Sequence, residues 1–444
     1  ILADKGSLQG ALEGLLPRRV SLRTLYGQEA APFLYMQRAF GGKFAYFIVN
    51  NDRKAAYDLE LALEGTGRLE EWDLLTGEMR GVSALEKDGR LHFAASFGPA
   101  GSRLYVVDPQ GKPEDGKVFA LAAELRTAHT ILGASFIGPT CPFTRTDPNV
   151  LTLDMCQYRM GQGRWSEKME VWRAQSAIRE KLGMRQNYYN GLPQRYKWAT
   201  KPYPKDGAPV SLRFDFAVGD IPASPVYLLV EGAAQFPISL NGKAVSNKPV
   251  GWYLDRSFHK VALPRLKRGR NRLILSCAYT NHMELEDCFI LGDFGVSVDR
   301  RITVEPALLH FGDWTTQGYL HYAGSMIYHG RMDKPTEGEC VRLYLGDYQA
   351  ITVAVHVNGQ LAGHIPWKSE NGLDITRYLK WGANAVDIEV VASPRNMLGP
   401  LHLASWREPW TDWRSFRRTD ETFTPEYVVQ PWGLIGQVRV QRER

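Results

Sequence analysis

Short runs in which apolar and polar residues alternate follow one another along most of the chain. From residue 32 onward, most of these runs are separated by Gly, Asn or Asp at a spacing of roughly ten residues, as in antiparallel sandwiches. A period of two residues places one face of each run in a core. No sustained alternation of strands and helices appears in the sequence. The pattern therefore predicts a mainly β protein without a parallel-sheet enzyme core.

One β unit occurs twice. Residues 351–391 contain Asn358-Gly359 after one alternating run and Gly382-x-Asn384 before the next. Asn-Gly between apolar runs predicts a hairpin, because both residues tolerate positive φ. The same order recurs with Asn241 and Asn271, and the Asn-to-Asn spacings are 30 (271 minus 241) and 26 (384 minus 358) residues. We interpret the two segments as versions of one unit.

Only residues 166–182 have convincing helical spacing. Ser166 is the predicted N-cap, Gly183 the stop, and the buried face is Val171, Ala174, Ile178 and Leu182. The predicted strand 150–160 leads into this helix. The resulting division of the chain is a linker from an upstream domain (1–25), a β-sandwich (26–117), an irregular connector with one helix (118–205), and two β modules (206–304 and 305–444).

Composition narrows the classes of function. The chain has 444 residues, a net charge of +6, 12 Trp and 20 Tyr, and Trp and Tyr suit binding surfaces because each joins an apolar face to a polar edge. No basic groove pattern indicates nucleic-acid binding, and no apolar run reaches the roughly 20 residues that span a bilayer. We therefore expect a soluble chain with no nucleic-acid or membrane partner. Five cysteines without a C-x-x-C pair favour reduced, mostly buried thiols and lean towards a reducing compartment, although cytoplasmic and secreted locations both stay open.

Motifs for catalysis are mostly missing. The sequence contains no G-x-S-x-G elbow, no H-E-x-x-H and no phosphate-binding glycine loop. Glycoside hydrolysis needs only two carboxyl groups on a groove. The densest acidic stretch is 284–293, and its candidates are Glu284, Glu286 and Asp293, with Asp287 between them. The alternative interpretation of this stretch is a solvated strand edge. Asp73 is interpreted as a turn residue.

Sugar binding requires an aromatic plane flanked by groups that reach hydroxyls. The loops of the repeated units and their flanking segments offer such groups. The candidates are Trp252, Tyr253, Arg256, Trp314, Tyr319, Trp367, Glu370, Asn371 and Asn396. Neighbouring polar residues in the same loops are Asp255, Gln317, His364, Arg395 and His402. Packing in a core explains many of these aromatic residues equally well.

Several segments carry a resemblance to a known family. They are FLYMQRAFGGKFAYFIVNN, GRLEEWDLLTGE, LEDCFILGDFGV, TTQGYLHYAGSMIYH and SPRNMLGPLHL. These segments resemble the C-terminal part of bacterial glycoside hydrolases of the α-L-rhamnosidase type, family 106 and its relatives. The unit around Asn358 is similar to the galactose-binding-like jelly roll, which is the sugar-binding domain of the β-galactosidase family. The resemblance covers nearly the whole chain and implies a β-sandwich followed by two jelly-roll modules.

The resemblance also implies a function. In such enzymes the catalytic acids lie on a (β/α)8 barrel N-terminal to the β domains, so this chain is expected to be the accessory half without the barrel. No catalytic residue of the family is assigned to any position here. Related modules often hold a structural calcium ion, but no acidic loop has a ligand spacing that assigns one, and no cofactor is predicted. The expected partners are carbohydrate and the barrel of the same protein. A complete hydrolase and purely structural modules stay open as alternatives.

Overall fold

The structure is a computed structural model that describes residues 10–12, 15–16, 18–113, 131–186, 203–333, 339–368, 372–404, 411–416, 419 and 421–443. The chain divides into two compact units. Unit 1 comprises residues 1–131 with 367–370 and 444, and unit 2 comprises residues 132–366 and 371–443. The mainly β fold class predicted from the sequence is confirmed. Across the described ranges, no helix is long and apolar enough to cross a membrane.

Unit 1 contains sandwich A, which has two antiparallel sheets. Its strands are β1 (Val20–Thr24), β2 (Phe33–Phe40), β3 (Lys43–Asn50), β4 (Tyr57–Glu64), β5 (Arg68–Trp72), β6 (Met79–Val82), β7 (Leu85–Lys87), β8 (Arg90–Phe97) and β9 (Ser102–Asp108). The sheet orders are β1-β4-β8-β7 and β2-β3-β9-β5-β6. Tyr46 and Ile48 on β3 pack against Leu59 and Leu61 on β4, so the core lies between the sheets. Strand β1 lies inside the expected linker 1–25 and pairs with β4.

Unit 2 contains two further sandwiches, and one is inserted into the other. Strands β10 (Ile131–Ile137), β11 (Thr140–Cys141) and β12 (Phe143–Arg145) belong to sandwich C, although they precede sandwich B in the chain. Because these strands pair with strands near the C-terminus, such as β12 with Ser325–Asp333, the expected irregular connector 118–205 contains structural strands. Their non-local pairing is the reason why the sequence alone did not place them.

Sandwich B follows from residue 149. Its strands are β13 (Asn149–Leu153), β14 (Met155–Met160), β15 (Met169–Glu170), β16 (Ala208–Val218), β17 (Tyr227–Glu231), β18 (Ile238–Leu240), β19 (Lys243–Val245), β20 (Gly251–Tyr253), β21 (Asp255–Ala262), β22 (Gly269–Tyr279), β23 (Cys288–Gly292), β24 (Gly295–Val296) and β25 (Arg301–Thr303). One sheet has the order β13-β23-β17-β21-β20, and the other has the order β15-β14-β16-β22-β18-β19. The predicted strand 150–160 is therefore two strands, and the chain changes sheet at Asp154.

Helix α1 (Val171–Leu182) packs on sandwich B. The predicted buried face is correct, since Val171, Ala174, Ile178 and Leu182 are all buried, and Gly183 ends the helix in the left-handed conformation at φ 70°. The predicted start is wrong. Ser166 is not the N-cap, because its hydroxyl accepts a hydrogen bond from the Tyr158 amide, and residues 169–170 form β15 before the helix begins.

Sandwich C is completed by the last third of the chain. Its strands are β26 (Leu309–His310), β27 (Ser325–Asp333), β28 (Cys340–Leu345), β29 (Tyr348–Gln349), β30 (Thr352–Val357), β31 (Gln360–Ile365), β32 (Gly372–Asp374), β33 (Ala383–Val391), β34 (Gly433–Leu434) and β35 (Val438–Glu443). The larger sheets are β12-β27-β33-β30-β31 and β10-β35-β28-β32. A short helix, α2 (Arg395–Leu398), follows β33. Through Met397 it joins a small buried cluster with Val150 and Phe289 of sandwich B.

The repeated unit has the same hydrogen bonds in both copies. Asn241 and Asn358 occupy the hairpin turns at φ 53° and 52°. Each donates from its amide to a buried Asn on the return strand, Asn271 at 2.9 Å and Asn384 at 2.8 Å. Each buried Asn in turn donates to two backbone carbonyls and accepts from the backbone amide four residues before it. The predicted duplication is therefore confirmed, because in both copies the Asn of one turn is hydrogen-bonded to a buried Asn of the other turn. We call this pair of side chains the Asn lock.

We expect Asn384→Ala to destabilise unit 2 by about 2–3 kcal/mol, because a buried amide N–H and carbonyls would lose their partners. Gln360→Ala is the matched control, since Gln360 is exposed on β31 of the same sandwich, and its effect should stay within about 0.5 kcal/mol. Urea unfolding of both variants measures the difference. Equal midpoints for the two variants would show that the Asn lock does not stabilise the sandwich.

Candidate functional site

A pocket of about 410 Å³, part of it open to solvent, lies where the chain changes sheet at Asp154. Its closed part measures only about 40 Å³, which holds a few water molecules, and the rest of the space opens to solvent. Sandwich B supplies one wall, and the segment after α2 supplies the other. The polar lining is Asp154, Glu170, Asp287, His402 and Ser415, and the aromatic lining is Trp172, Phe416 and Phe423.

Asp154 holds the two walls together. Its Oδ1 accepts a hydrogen bond from the Tyr427 hydroxyl at 2.6 Å and lies 3.2 Å from the Arg300 guanidinium. Its Oδ2 lies 2.8 Å from His402 Nε2. The Arg300 guanidinium also stacks on the Tyr427 ring, 3.9 Å from its centroid. Asp154 is thus the buried anion that connects sandwich B to residues 402–427.

Both ring nitrogens of His402 face oxygen acceptors. Nε2 faces the Asp154 carboxylate, and Nδ1 faces the Thr424 carbonyl oxygen at 2.9 Å. A neutral imidazole donates from only one nitrogen, so this arrangement fits the doubly protonated cation. Burial lowers the pKa of His402, but the hydrogen bond and charge of Asp154 outweigh burial and leave the pKa raised. The pair is therefore an imidazolium and a carboxylate.

Asp154 is correspondingly ionised. Burial raises the pKa of its carboxyl group, but the His402 hydrogen bond, the Arg300 charge and the Tyr427 hydrogen bond together lower it below the ordinary value. Buried ion pairs persist when further hydrogen bonds satisfy the charged groups. The three side-chain contacts of Asp154 are of this kind, and they engage both of its carboxylate oxygens.

Glu170 and the first turn of α1 form the aromatic side of the pocket. The Arg173 guanidinium binds the Glu170 carboxylate and stacks on two rings, 4.6 Å from the Trp172 centroid and 4.8 Å from the Phe423 centroid. These contacts fix the indole of Trp172 at the pocket. Its Nε1–H is buried and meets no acceptor within the described part of the chain.

Asp287 differs from the other acids of the pocket. No hydrogen-bond donor for its carboxyl group is found among the residues that the structure describes. Burial, followed by the charges of Asp154, Glu286 and Glu170, raises its pKa well above the ordinary value, and Arg300 opposes this only in part. The pocket therefore contains one carboxyl group whose pKa is lowered by its partners and a second whose pKa is raised and which meets no hydrogen-bond donor within the described residues.

His321 lies behind this network in the opposite protonation state. The Thr152 amide donates to its Nδ1 at 3.3 Å, so the proton of the neutral ring is on Nε2. Burial and the positive charge of Arg300 lower the pKa of His321 to about 3, against a smaller opposing effect of Asp154. Its ring meets Tyr427 edge-on, with centroids 6.2 Å apart. His321 is thus a neutral packing residue beside the charged pair.

The structure separates the predicted acidic candidates. Asp293 binds the Arg145 guanidinium, whose hydrogen bond lowers the pKa of the Asp293 carboxyl group. Glu286 is exposed and Glu284 is half-buried, and neither lines the pocket. These three acids are not brought together. Asp287, which lies between them in sequence, is the acid of that stretch that faces the pocket.

The predicted sugar-binding residues also divide into groups. Trp252 is 56% exposed, Trp367 is 40% exposed, and Arg256 is exposed. Tyr253 is half-buried against the cluster that joins the two sandwiches. Glu370 and Asn371 lie outside the described residues. The exposed residues stay predictions for a surface site.

Three predicted sugar-binding residues are inside the protein, which corrects their assignment to a groove. Trp314 is fully buried in the core of sandwich C, because its ring packs edge-on against Tyr322. Tyr319 is also buried, and its hydroxyl donates to Glu305 at 2.7 Å. Asn396 is buried and exchanges two hydrogen bonds with the backbone of Gln430. Core packing accounts for Trp314, although its Nε1–H also meets no acceptor among the described residues. Hydrogen bonds to Glu305 and to the Gln430 backbone account for Tyr319 and Asn396 without a ligand.

Neither a metal centre nor a reactive thiol emerges from the described residues. No group of three or more His, Cys, Asp and Glu side chains there could hold a metal ion. The five cysteines are free thiols, and four are buried. Burial raises the pKa of Cys277 to about 11, which keeps this thiol protonated near neutral pH.

The sequence did not identify Asp154, Glu170 or Trp172. Asp154 interrupts an apolar run. An acidic residue inside a strand that is otherwise predicted to be buried is unusual, and it could have indicated a functional position. Trp172 and Glu170 sit at the true start of α1, which the sequence placed several residues earlier. His402 was noted among the polar residues of its loop, but its partner lies 248 residues away in the chain.

Comparisons with known proteins give weak likenesses only. No protein-family model matches the sequence, and a search of curated proteins returned no match. The structure is similar to a rhamnosidase from Novosphingobium sp. PP1Y, with a TM-score of 0.44 and 15% identity over 98% of this chain and 26% of the other. The chain thus spans about a quarter of the length of that rhamnosidase.

Two further solved structures are glycoside hydrolases. One is a Streptomyces avermitilis α-L-rhamnosidase complexed with L-rhamnose, with a TM-score of 0.24 and 12% identity over 84% of this chain and 36% of the other. The other is a GH2 β-galacturonidase from Eisenbergiella tayi, with a TM-score of 0.20 and 10% identity over 56% of this chain and 38% of the other. At these TM-scores the likenesses give neither a family nor an activity for this chain.

We expect His402→Gln to destabilise unit 2 by about 2–3 kcal/mol near pH 6, because Asp154 loses its cationic partner. The pKa of His402 is raised on folding, so its contribution is full below the unfolded value of about 6.5 and is lost as pH rises through the folded value. The pKa of Asp154 is lowered, so this contribution also falls in acid, below about pH 4.

Urea unfolding of the wild type and the variant at several pH values measures this dependence. The control is His329→Gln, which removes a partly exposed His–Asp pair of sandwich C and should cost less than about 1 kcal/mol. A cost of His402→Gln that increases from pH 6 to pH 8 would contradict the imidazolium assignment.

Proposed function

We propose that this chain is an accessory, carbohydrate-binding β portion of a glycoside hydrolase of the α-L-rhamnosidase type, and that the pocket at Asp154 binds the sugar. The resemblance of the sequence segments supports the glycoside hydrolase part of this proposal. By the same resemblance, the β sandwiches brace a (β/α)8 catalytic domain of the same protein. The pocket itself supports the binding of a sugar.

One observation carries the proposal. The pocket combines an aromatic wall with two polar groups that lack partners among the described residues, the Nε1–H of Trp172 and the carboxyl group of Asp287. An unsatisfied buried donor costs free energy unless a ligand or water fills it. A sugar hydroxyl both donates and accepts, so it can serve as the partner of either group. The apolar C–H face of a pyranose packs against aromatic rings.

The other polar groups of the pocket are occupied. Asp154 bonds to His402 and Tyr427, and Glu170 bonds to Arg173. These bonds hold the walls in place before a ligand arrives, and a preformed site avoids the entropic cost of ordering side chains on binding. The arrangement thus separates residues that shape the pocket from residues that contact the sugar.

Hydrolysis in the same pocket is a second candidate, favoured by the opposite pKa shifts of Asp154 and Asp287. Two carboxyl groups whose pKa values are pushed apart are typical of acid–base pairs. Aryl glycosides, with aryl α-L-rhamnoside first, test it. On the accessory proposal we expect no turnover above that of buffer, whereas turnover that Asp287→Asn abolishes would favour the hydrolase and overturn the accessory role.

We expect Trp172→Ala to weaken sugar binding at least about tenfold, or about 1.4 kcal/mol, because it removes both the ring and the N–H donor. Trp172→Phe keeps an aromatic wall and should lose only part of this affinity. A glycan array identifies the ligand, and calorimetry with methyl α-L-rhamnoside as the first probe measures the dissociation constants.

The matched control is the Trp252→Ala, Trp367→Ala double variant, which removes the exposed tryptophans of the two repeated units. We expect it to bind as the wild type does. Loss of binding in the double variant, with full binding by Trp172→Ala, would move the site to the loops. A folded chain that binds no glycan would leave the sandwiches with a purely structural role.

A further inference from the structure

A row of four arginines crosses one outer face of sandwich B, on the sheet that contains β14, β16 and β22. They are Arg159 on β14, Arg213 on β16, and Arg272 and Arg270 on β22. Arg213 lies opposite Gln157 and two residues from Asp215, which lies opposite Arg272, so the period of two places these side chains on one face. Successive Cα atoms of the row are roughly 7–8 Å apart. We call these four residues the arginine row.

The arginine row carries more positive charge than its acidic neighbour neutralises. Asp215 binds Arg272 through both carboxylate oxygens, at 2.8 and 3.1 Å. Within the described residues, no carboxylate lies within ion-pair distance of Arg159, Arg213 or Arg270. Three guanidinium groups of the row therefore lack a counter-ion from the described part of the chain.

The charges that flank the row do not reverse this excess. Two flanking ion pairs cancel, and they are Arg301 with Asp299 and Arg268 with Asp220. In the loop before β15, Glu167 is accompanied by Arg164 and Lys168. The face as a whole is therefore positive.

The guanidinium groups of the row are close enough to repel one another. Burial, followed by the positive charge of Arg272 and then those of Arg270 and Arg159, lowers the pKa of Arg213, and Asp215 opposes this only in part. Arg213 still keeps its proton at physiological pH, as arginine does throughout proteins. An anion bound on this face would relieve the repulsion.

Trp165 holds two members of the row in place. The centroid of its ring lies 4.7 Å from the guanidinium carbon of Arg159 and 4.5 Å from that of Arg213. Arg213 also donates from Nε to the Gln157 side-chain oxygen at 3.1 Å. The row is thus ordered before a ligand arrives, which reduces the entropic cost of binding.

We propose that the arginine row is a second carbohydrate-binding surface, and that it binds a polysaccharide rich in uronic acids. A guanidinium group binds a carboxylate through two parallel hydrogen bonds, and Arg272 binds Asp215 in this way on the same face. The hydroxyl groups of Ser211 and Ser276 lie beside Arg159, and hydroxyl groups both donate to and accept from those of a sugar. No residue of the row lines the pocket at Asp154, so the two sites are separate.

Other polyanions fit this face less well. Single-stranded nucleic acid stacks its bases on aromatic rings, but two guanidinium groups already stack on Trp165. A DNA duplex is read by a helix or ribbon that enters a groove, whereas the row lies on a sheet face. A peptide strand adds to a free sheet edge, and β14, β16 and β22 each have hydrogen-bonded strands on both sides. An acidic polysaccharide needs only carboxylates and hydroxyl groups along an open face.

Calorimetry of the full chain with polygalacturonate tests the proposal, and the fully methyl-esterified polymer is the uncharged counterpart. We expect the affinity for polygalacturonate to fall at least tenfold between roughly 0.05 M and roughly 0.5 M NaCl, because salt screens exposed charges. At the lower salt concentration the methyl ester should bind at least about tenfold more weakly. Equal binding of the two polymers, or no binding of polygalacturonate, would overturn the proposal.

The Arg159→Gln, Arg270→Gln double variant removes two unpaired charges of the row. We expect it to bind polygalacturonate about tenfold more weakly than the wild type. The matched control is Arg331→Gln, Arg439→Gln, which removes the same charge from exposed positions on strands of sandwich C and should bind within about twofold of the wild type. Equal losses in both double variants would show a general effect of net charge and no site.

Asp215→Asn tests the row in the opposite direction. This substitution removes the acid that neutralises Arg272, so we expect polygalacturonate to bind about threefold more tightly. A gain in affinity does not arise from misfolding, which makes this variant independent of the losses above. Weaker binding by Asp215→Asn would contradict the proposal.

Polyglutamate and duplex DNA are the probes for the other classes of polyanion. We expect both to bind more weakly than polygalacturonate at the same salt concentration. Tighter binding of either probe would assign the face to that class and overturn the proposal.

The outcomes also separate this surface from the pocket of the proposed function. Trp172→Ala should keep the affinity for polygalacturonate, and the Arg159→Gln, Arg270→Gln variant should keep the affinity for methyl α-L-rhamnoside. Loss of polygalacturonate binding by Trp172→Ala alone would place the polymer in the pocket and overturn the role of the row. A chain that binds polygalacturonate through the row but no rhamnoside would overturn only the sugar site at Asp154.

Discussion

The carboxylate of Asp154 is the constraint on which the candidate site depends. It sits where the chain leaves one sheet of sandwich B for the other, so its backbone position is fixed by β13 and β14. Its side chain then binds His402 and Tyr427, which belong to a segment without regular strand pairing to sandwich B. A buried anion needs several donors, and these donors come from distant parts of the chain. Satisfying one charge therefore brings the second wall of the pocket into place.

The local features of the fold were predictable from the sequence. The turn residues Asn241 and Asn358 follow alternating runs, and positive φ favours Asn and Gly at such positions. The structure shows the hydrogen-bond partners of these turn residues. Asn271 and Asn384, which the sequence indicates only as turn residues, are buried, and their side chains bind Asn241 and Asn358. The spacing of the pairs was visible in the sequence. Their burial was not, since Asn is usually exposed.

The site was much less predictable, because the residues that form it are far apart in the sequence. Arg300, His402 and Tyr427 lie 146, 248 and 273 residues from Asp154. A pattern that reports neighbours two to four residues apart carries no information on such pairs. Aromatic residues failed as markers for a different reason. In the sequence, Trp314 and Trp172 look alike as candidate binding residues. In the structure, Trp314 is buried in a core and Trp172 lines a pocket.

Asp154 and Asp287 show how one pocket meets two opposing requirements. Stability requires that buried polar groups have partners, and Asp154 meets this with bonds to His402 and Tyr427 and an ion pair with Arg300. Binding requires groups that are still without partners. Among the described residues, the buried Trp172 N–H meets that requirement at a cost to stability, and Asp287, which meets no hydrogen-bond donor there, is partly buried. The cost for Asp287 is limited because the ionised carboxylates around it favour its neutral form, and burying a neutral acid is much less unfavourable than burying a charge. The ion pair that closes the pocket thus also lets Asp287 remain there without a hydrogen-bond donor from the part of the chain that the structure describes.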